Sequence, residues 1–222
     1  FTGKLPIESL SPSFLVFSGI FRKSRLQLGM RRLVSLTAAI VGLVATAPLM
    51  ALIALAIKLD SRGPVFFIDE RAGRGGRPFR LVKFRTMHPP APGEHPAASV
   101  WSRDDAGRIT RVGRWLRPWR LDELPQFWNI LRGEMGLVGP RPEIMANVRA
   151  MTEQIPYYSL RHSIAPGLTG WAQTRAGYSV SLEQVTEKMR YDLFYIKHMS
   201  FWLDLRIVVD TAKIVMFGRG AR

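Results

Sequence analysis

The chain has 222 residues, with 32 lysine and arginine residues against 17 aspartate and glutamate residues and a formal net charge of +15. Because 47% of the residues are hydrophobic, the composition excludes a disordered basic tail, which would be poor in apolar side chains. The absence of cysteine excludes a disulfide scaffold, a thiolate metal site and a cysteine nucleophile. Arginine supplies 25 of the basic residues, and its planar fork favours phosphate-bearing partners such as nucleotides, phospholipids or nucleic acid.

A long uncharged segment predicts insertion into a membrane. From Leu33 to Ile57, 25 consecutive residues carry no charge, and as a straight helix they would span about 37 Å, more than the roughly 30 Å of a bilayer core. Basic residues at both ends, Arg31 and Arg32 before and Lys58 after, favour placing both ends on the cytoplasmic face. Pro48 in the middle predicts a bend. A re-entrant helix broken at Pro48 satisfies both observations, and a kinked spanning helix is the alternative left open.

The residues before this segment form a basic lead-in, 1–30, which would be attracted to anionic lipid. Its apolar stretch from Phe14 to Phe21 is too short to span a bilayer. The chain begins with Phe rather than Met, so we expect a piece of a longer protein. The predicted organisation is therefore the lead-in, a membrane helix over 31–58 and a cytosolic, membrane-associated domain over 59–222.

A β-hairpin is predicted directly after the membrane segment. Residues 65–68 and 79–87 have strand-like patterns on either side of a glycine-rich turn at 73–76. These glycines lack the strand–loop–helix context and the spacing of a P-loop or a dinucleotide fingerprint, so a hairpin turn is the favoured interpretation. Residues 88–99 are rich in proline and alanine and predict an exposed loop.

The rest of the chain is predicted to be mainly helical, which together with the hairpin makes the fold class α+β. Residues 109–116 are ambiguous, and irregular turns are expected at 138–142 and 165–170 because of their proline and glycine content. Helical spacing occurs in three segments: 122–131, 143–154, and 181–217 with an interruption near Met199. The last segment suits an interfacial amphipathic helix on a membrane and an amphipathic core helix equally well.

The strongest local indication of chemistry is the sequence Leu-Asp-Glu-Leu-Pro-Gln at 121–126. On this motif alone, Asp122 is explained as a helix N-cap and Glu123 as a favourable charge at the helix N-terminus. Four arginines on both sides of the motif favour a functional interpretation: Arg117, Arg120, Arg132 and Arg141. A carboxylate at a helix N-terminus among arginines is suited to bind and attack phosphate. The adjacent carboxylate suits Mg²⁺, which binds one or two carboxylates together with phosphate oxygens and water.

Other candidate residues give weaker indications. Lys83 and Arg85 would share one face of the predicted second strand, a geometry that suits a polyanion or a solvated strand face. Arg141 lies between two prolines, in a rigid turn that would hold its side chain at low entropic cost. The four histidines are scattered and predict neither a metal site nor a catalytic base.

Five sequence blocks, in order, make this chain resemble the bacterial monotopic phosphoglycosyl transferases, also called polyprenyl-phosphate sugar-1-phosphate transferases. The blocks are KFRTM at 83–87, ITRVG at 109–113, LDELPQ at 121–126, LVGPRP at 137–142 and PGLTGWAQ at 166–173. The resemblance runs from about Arg31 to Gly220, and the segment from Tyr191 to Arg222 is similar to the exopolysaccharide-initiating branch. In that branch the catalytic domain commonly follows several membrane helices.

The resemblance implies a fold and roles for particular residues. Asp122 would attack the sugar-linked phosphorus of a UDP-sugar, release UMP, and pass the sugar-phosphate to polyprenyl (undecaprenyl) phosphate. Glu123 would ligate Mg²⁺, and Arg117 and Arg141 would hold phosphate, with Lys83 a further member of that set. The family fold implies a re-entrant membrane helix and a catalytic domain on the cytoplasmic face of the bacterial inner membrane. The implied partners are a UDP-sugar, polyprenyl phosphate and anionic lipids, without nucleic acid, and a homo-oligomer is left open.

Two observations qualify this expectation. Ser35 stands where the family often has Asp at the start of the membrane helix, and Ala47 stands where Ser often precedes the proline. The Asp-Glu pair is intact, so activity is expected.

A membrane-anchored nucleic-acid-binding module is the alternative from another class of function, suggested by the net charge. Against it, the basic residues alternate with glycine and proline and form no recognition motif.

Overall fold

The structure is a computed structural model of the chain, and it describes residues 3–5, 24–88, 107–176 and 181–217. Most of the predicted lead-in and nearly all of the loop predicted at 88–99 lie outside the described residues. The helices and strands in chain order are α1 (Arg25–Asp60), β1 (Phe66–Ala72), β2 (Pro78–Phe84), α2 (Arg111–Leu116), α3 (Gln126–Arg132), β3 (Gly136–Val138), α4 (Met145–Gln154), β4 (Gly167–Thr169), α5 (Trp171–Arg175), α6 (Leu182–His198) and α7 (Phe201–Met216). The fold is therefore α+β and mainly helical, as predicted.

Helix α1 contains the uncharged segment and is long and apolar enough to cross a membrane. The Ser24 hydroxyl caps its N-terminus by accepting a hydrogen bond from the backbone N–H of Gln27 at 3.1 Å. Pro48 lies inside the helix, which continues on both sides of it as one element. A proline removes one helical hydrogen bond, and the remaining bonds suffice to carry the helix past it. The predicted break thus does not divide the segment into two helices, and the re-entrant path stays a prediction.

The hairpin is confirmed. Strands β1 and β2 pair antiparallel, with Phe66 opposite Phe84 and Ala72 opposite Pro78. The turn at Arg74–Gly76 places Gly75 and Gly76 at φ values of 68° and 73°, in the left-handed region that favours glycine. The glycines therefore serve the turn, as the sequence indicates.

A short parallel pair of strands was not predicted. Strands β3 and β4 pair Gly136 with Gly167 and Val138 with Thr169. All of β4 and the last residue of β3 lie in segments expected to be irregular. A Cβ on Gly167 would lie 2.0 Å from the backbone nitrogen of Gly139, so only glycine permits this approach. Three-residue strands are too short to show a period of two, which is why the pattern predicted a turn-rich loop instead.

The C-terminal segment forms two helices separated at Met199 and Ser200, as predicted. Helix α6 belongs to the main hydrophobic core, through side chains that are fully buried: Met189, Leu193, Tyr195 and Ile196. Helix α7 buries only Ile207 and exposes Phe201 and Trp202. The two alternatives for this segment therefore divide between its halves, with a core helix first and a helix with an exposed apolar face second.

The N-terminal part of α1 packs against the domain that follows it. The Arg31 guanidinium pairs with Asp204 at 2.9 Å and donates to the carbonyl of Val138 at 3.1 Å. The buried hydroxyl of Ser35, at the position where the family often has Asp, accepts a hydrogen bond from the backbone N–H of Leu137 at 3.1 Å. This end of the helix is thereby fixed to β3 and α7.

The C-terminal part of α1 packs against another side of the same domain. Ile53 and Ile57 are buried in a cluster with Phe84 and Leu116. The Asp60 carboxylate accepts a hydrogen bond from the backbone N–H of Val112 at 3.0 Å. Between the two contact regions, no residue from 43 to 49 is buried. The helix is thus attached at both ends and most exposed in the middle.

Candidate active site

The Asp-Glu pair lies in a single 3₁₀ turn, Leu121–Glu123, between α2 and α3. Arg120, directly before it, has φ 53° and ψ 24°, a left-handed conformation that costs a non-glycine residue about 1–3 kcal/mol and occurs most often at functional sites. Helix α3 begins only at Gln126, with Pro125 at its N-cap position. The predicted helix over 122–131 is therefore shorter at its start, because the turn places the carboxylates before the helix.

The structure does not support the capping explanation for Asp122. Neither the 3₁₀ turn nor α3 has a side-chain hydrogen bond at its N-cap. Burial, and then the negative charge of Glu123, raise the pKa of Asp122 to about 6, while the positive charges of Lys83 and Arg117 act in the opposite direction. A carboxyl group with this pKa is mostly ionised at pH 7, so Asp122 is available as a nucleophile.

Glu123 is bound to arginines on both sides. Both terminal nitrogens of Arg141 lie 3.1 Å from its Oε1 atom, and Arg120 lies 3.6 Å from its Oε2 atom. Burial acts to raise the pKa of Glu123, but the charges of Arg141 and Arg120 outweigh it and the pKa is lowered. The side chain therefore stays ionised and fixes Arg141 beside the Asp122 turn.

Lys83 and Arg117 complete the charged group around Asp122. Lys83 lies on β2 opposite Phe67, with its Nζ atom 5.1 Å from the centre of that ring. Burial, and then the charge of Arg71, lower the pKa of Lys83, and the charge of Asp122 partly offsets them. Arg117 is oriented by a hydrogen bond of 3.0 Å from its Nε atom to the Thr86 hydroxyl. The structure thus brings together Lys83, Arg117, Arg141 and the two carboxylates.

Arg85 stands apart from this group, contrary to the sequence prediction. Its buried guanidinium donates to the carbonyl and hydroxyl oxygens of Ser61 at 2.8 and 3.0 Å and to the carbonyl of Arg62. Arg85 follows the last residue of β2 directly, and its side chain reaches the residues that come after α1. Arg85 therefore binds the backbone directly after α1 and does not join the charged residues around Asp122.

The close approach of the Arg85 side chain to residues 61–63 depends on a glycine at position 63. Gly63 has φ 124°, and a Cβ there would lie 2.1 Å from the Nη1 atom of Arg85. The other predicted residue outside the charged group, Pro48, is an exposed position inside α1 and belongs to the membrane segment.

Several residues near the site were missed by sequence reasoning. Arg71 pairs with Asp69 at 2.7 Å and donates to the carbonyl of Pro142 at 3.3 Å. Arg161 donates to the carbonyl of Arg141 at 3.2 Å. Both arginines donate hydrogen bonds to the backbone of the Gly-Pro-Arg-Pro turn at 139–142. No local sequence pattern indicates such a contact between distant segments.

The carboxylates at 122 and 123 fit the small protein ligand set of a magnesium ion. Two carboxylates are adjacent, and the Oε2 atom of Glu123 has its arginine neighbour at 3.6 Å, beyond hydrogen-bond distance. Within residues 3–5, 24–88, 107–176 and 181–217, no group of three or more His, Asp or Glu side chains is arranged to hold a metal ion. A magnesium ion bound at this turn would therefore take its other ligands from substrate phosphates and water.

Comparison with known proteins identifies the family. Residues 26–218 match the bacterial sugar transferase family. The chain is 39% identical over 221 residues to the UDP-N-acetylgalactosamine-undecaprenyl-phosphate N-acetylgalactosaminephosphotransferase of Aeromonas hydrophila, a match that covers 100% of this chain and 51% of that protein. It is 42% identical over 221 residues to an undecaprenyl-phosphate glucose phosphotransferase of Komagataeibacter xylinus, covering 97% of this chain and 41% of that protein.

A shorter relative matches over most of its length. An uncharacterised sugar transferase of Bacillus subtilis is 38% identical over 191 residues, covering 86% of this chain and 89% of that protein. The chain thus spans about half the length of the first two relatives and most of the third. The extent of these matches and the charged group at Asp122 lead to one conclusion: the chain belongs to the bacterial sugar transferase family.

Proposed function

We propose that the chain transfers a sugar-1-phosphate from a UDP-sugar to polyprenyl (undecaprenyl) phosphate, through a covalent intermediate on Asp122, with release of UMP. The observation that carries this proposal is the carboxylate of Asp122, which has a pKa of about 6 and lies within the field of Lys83 and Arg117. The relatives in Aeromonas hydrophila and Komagataeibacter xylinus are named as phosphotransferases acting on undecaprenyl phosphate, which supports the choice of acceptor.

The proposed reaction has two half-reactions. In the first, a carboxylate oxygen of Asp122 attacks the phosphorus that carries the sugar, and the bond from that phosphorus to the bridging oxygen breaks with its electron pair leaving on UMP. In the second, an oxygen of polyprenyl phosphate attacks the same phosphorus, and the bond to Asp122 breaks to restore the carboxylate. Phosphoryl transfer depends on positioning and charge neutralisation more than on proton transfer.

The charged group supplies that neutralisation. The positive charges of Lys83 and Arg117 act on Asp122, and Arg141 donates to the carboxylate of Glu123. Because Lys83 and Arg117 are partly buried, their attraction for phosphate is less screened by solvent than it would be on an open surface. Glu123 would hold Mg²⁺, which when bound neutralises charge on the substrate phosphates.

We also propose that α1 enters and leaves the membrane on the same face. Arg31 and Ser35 near its start, and Ile57 and Asp60 near its end, contact one domain. A helix that crossed the bilayer between these regions would leave them on opposite faces, separated by a core of roughly 30 Å. The shared domain contacts therefore support the re-entrant path, with the exposed middle of the helix lying deepest in the lipid.

In this proposal the turn that holds Asp122 and Glu123 lies at the membrane surface. Exposed aromatic side chains at Phe201 and Trp202 on α7 are typical of helices that lie in the headgroup region. The phosphate of a lipid acceptor lies at that level, where Asp122 would meet it. The location that follows from this proposal is the cytoplasmic face of the bacterial inner membrane, where anionic lipids attract the basic residues.

The proposal is tested by UMP release from a panel of UDP-sugars, with the purified chain, Mg²⁺ and polyprenyl phosphate. We expect one or more sugars to support release, and Asp122→Asn to abolish it. Because the pKa of Asp122 is raised, the fold disfavours its charged form, so the neutral variant should unfold at an equal or higher temperature at pH 7. Turnover retained by a folded Asp122→Asn variant would refute the nucleophile assignment.

A further inference from the structure

A buried ion pair lies behind the Gly-Pro-Arg-Pro turn. Arg161, in the 3₁₀ turn Tyr158–His162, pairs with Asp192 of α6 at 2.9 Å, and their side chains are only 7% and 2% exposed. The same guanidinium donates to the Tyr158 hydroxyl at 2.6 Å. Its Nη2 atom also donates to the main-chain carbonyl of Arg141 at 3.2 Å. One side chain therefore joins a core helix to the residue that contacts Glu123.

The backbone around Arg141 is held from several directions. The carbonyl of Pro140 accepts a hydrogen bond from the backbone N–H of Gly167 at 2.9 Å, and the carbonyl of Pro142 accepts one from Arg71 at 3.3 Å. The carbonyl of Glu143 accepts a hydrogen bond from the backbone N–H of Ala72 at 2.9 Å. With the contact from Arg161, four consecutive carbonyl groups, at residues 140–143, each have a defined donor.

Stability alone is a weak explanation for the Arg161–Asp192 pair. Removing two charges from water costs about as much as their attraction returns, and apolar replacements of buried pairs are often neutral or stabilising. The pair does, however, fix the orientation of the Arg161 guanidinium. Asp192 orients the planar guanidinium, and the guanidinium holds the carbonyl of Arg141. The turn then presents the Arg141 side chain to Glu123, where both of its terminal nitrogens reach one oxygen.

We propose that Arg161 and Asp192 are positioning residues for the transfer reaction, acting on the Asp122–Glu123 turn through the backbone and side chain of Arg141. This inference rests on the proposed function, because the readout is the transfer reaction itself. Neither residue touches the reacting atoms in this arrangement. Their effect on the rate passes through Arg141, and this separates a positioning role from a purely structural one.

The test is a double-mutant cycle on UMP release with Arg161→Lys and Arg141→Lys. A lysine at 161 keeps the charge but lacks the fork that reaches Asp192, Tyr158 and the Arg141 carbonyl together. We expect Arg161→Lys to lower kcat by up to about 100-fold, the effect of a small misplacement in an active site. In the Arg141→Lys background the same change should have little further effect, because the group it positions is already altered.

Tyr158→Phe is the matched control. It removes a hydrogen bond from the same guanidinium without touching the carbonyl of Arg141, so its kcat should stay close to that of the wild type. Thermal unfolding of each variant is measured in parallel, and if Arg161→Lys does not fold, Asp192→Asn takes its place in the cycle.

The positioning role would be overturned if the fold-changes in kcat caused by Arg161→Lys and Arg141→Lys simply multiplied in the double variant. An unchanged kcat in a folded Arg161→Lys variant would overturn it as well. Either result would leave the proposed function intact. Absence of UMP release by the wild-type chain with every UDP-sugar would instead remove the proposed function.

Discussion

Asp122 connects the local geometry of this protein to its chemistry. It lies in a 3₁₀ turn that begins directly after Arg120. The backbone of Arg120 has a left-handed conformation that residues other than glycine rarely adopt. Burial and the charge of Glu123 raise its pKa to about 6, while Lys83 and Arg117 limit the rise. The result is a carboxylate that is ionised at neutral pH and lies among cations suited to a phosphate.

The raised pKa predicts the acid side of the pH profile. Attack requires the deprotonated form of Asp122, so the rate of UMP release under single-turnover conditions should fall about tenfold per pH unit below pH 6 and level off above it. Measurement between pH 4.5 and 8 checks this, and a flat rate from pH 5 to 7 would contradict the assignment.

Lys83 offers a separate check on the alkaline side. Burial, and then the charge of Arg71, lower the pKa of Lys83 from 10.5, so its charge is lost earlier than that of an ordinary lysine as the pH rises. Arg keeps its charge at every accessible pH. We therefore expect Lys83→Arg to extend the alkaline plateau without moving the acid limb near pH 6, and a shift of the acid limb would contradict the separation of the two groups.

At the scale of elements, the packing of α1 against α3 sets where the membrane helix joins the domain. A Cβ on Gly42 would lie 2.8 Å from the ring of Phe127, whereas a Cβ on Gly29 of the same helix would meet nothing within 4 Å. Ala in place of Gly gains up to about 1 kcal/mol of helix propensity at either site. Overpacking costs about 1–3 kcal/mol, and only Gly42→Ala incurs it.

Comparison of the two variants isolates that contact. Gly29→Ala should unfold at an equal or higher temperature than the wild type, and Gly42→Ala at a lower temperature than Gly29→Ala. Thermal unfolding in detergent or nanodiscs measures the difference. Equal unfolding temperatures would mean that α1 and α3 are not packed as described.

Elements with a strong hydrophobic period, or with clear turn and helix-break residues at their ends, were predictable from sequence. The hairpin follows from two strand patterns around Gly75, and the division of the C-terminal helices follows from the break at Met199 and Ser200. The β3–β4 pair was not predictable, because Gly167 gains its role only from contact with Gly139, in a segment distant in the chain. Arg85 was misplaced for a related reason: its guanidinium is held by oxygen atoms of Ser61 and Arg62, which belong to a distant segment of the chain.

The site itself was predictable to the level of residue types. Asp122, Glu123 and Arg141 follow from one motif and its neighbouring arginines, and the structure brings them together. The residues that hold them in place were not predictable, because Arg71 and Arg161 act on backbone carbonyls of a distant turn. Sequence patterns report local period and charge, whereas positioning depends on how separate segments pack.

At the scale of the whole molecule, a net charge of +15 accompanies a helix, α1, that is long and apolar enough to cross a membrane. The proposed location at a membrane surface rests on this combination. Near the Asp122–Glu123 turn, Arg120 and Arg141 are paired with the carboxylate of Glu123. DNA binding that persists unchanged in an Asp122→Ala, Glu123→Ala double variant, without sugar-phosphate transfer by the wild type, would favour the nucleic-acid alternative.

The membrane path of α1 predicts a labelling pattern. The chain has no cysteine, so single cysteines at the exposed positions Met30 and Leu59 can be labelled selectively. In oriented inner-membrane vesicles, an impermeant reagent should reach both from the cytoplasmic side and neither from the other side. A cysteine in place of Val44, in the exposed middle of the helix, should resist the reagent from both sides. Labelling of residues 30 and 59 from opposite sides would establish a spanning helix.

In the proposed mechanism, Asp122 carries the sugar-phosphate between the two half-reactions. The most direct measurement is the mass of the intact chain and its peptides after incubation with a UDP-sugar that supports UMP release and Mg²⁺, without the lipid acceptor. We expect one equivalent of UMP per active site and one added sugar-phosphate mass on the peptide that contains Asp122, and we expect this mass to be lost when polyprenyl phosphate is supplied. An adduct on another residue, or UMP release only when the lipid acceptor is present, would contradict it.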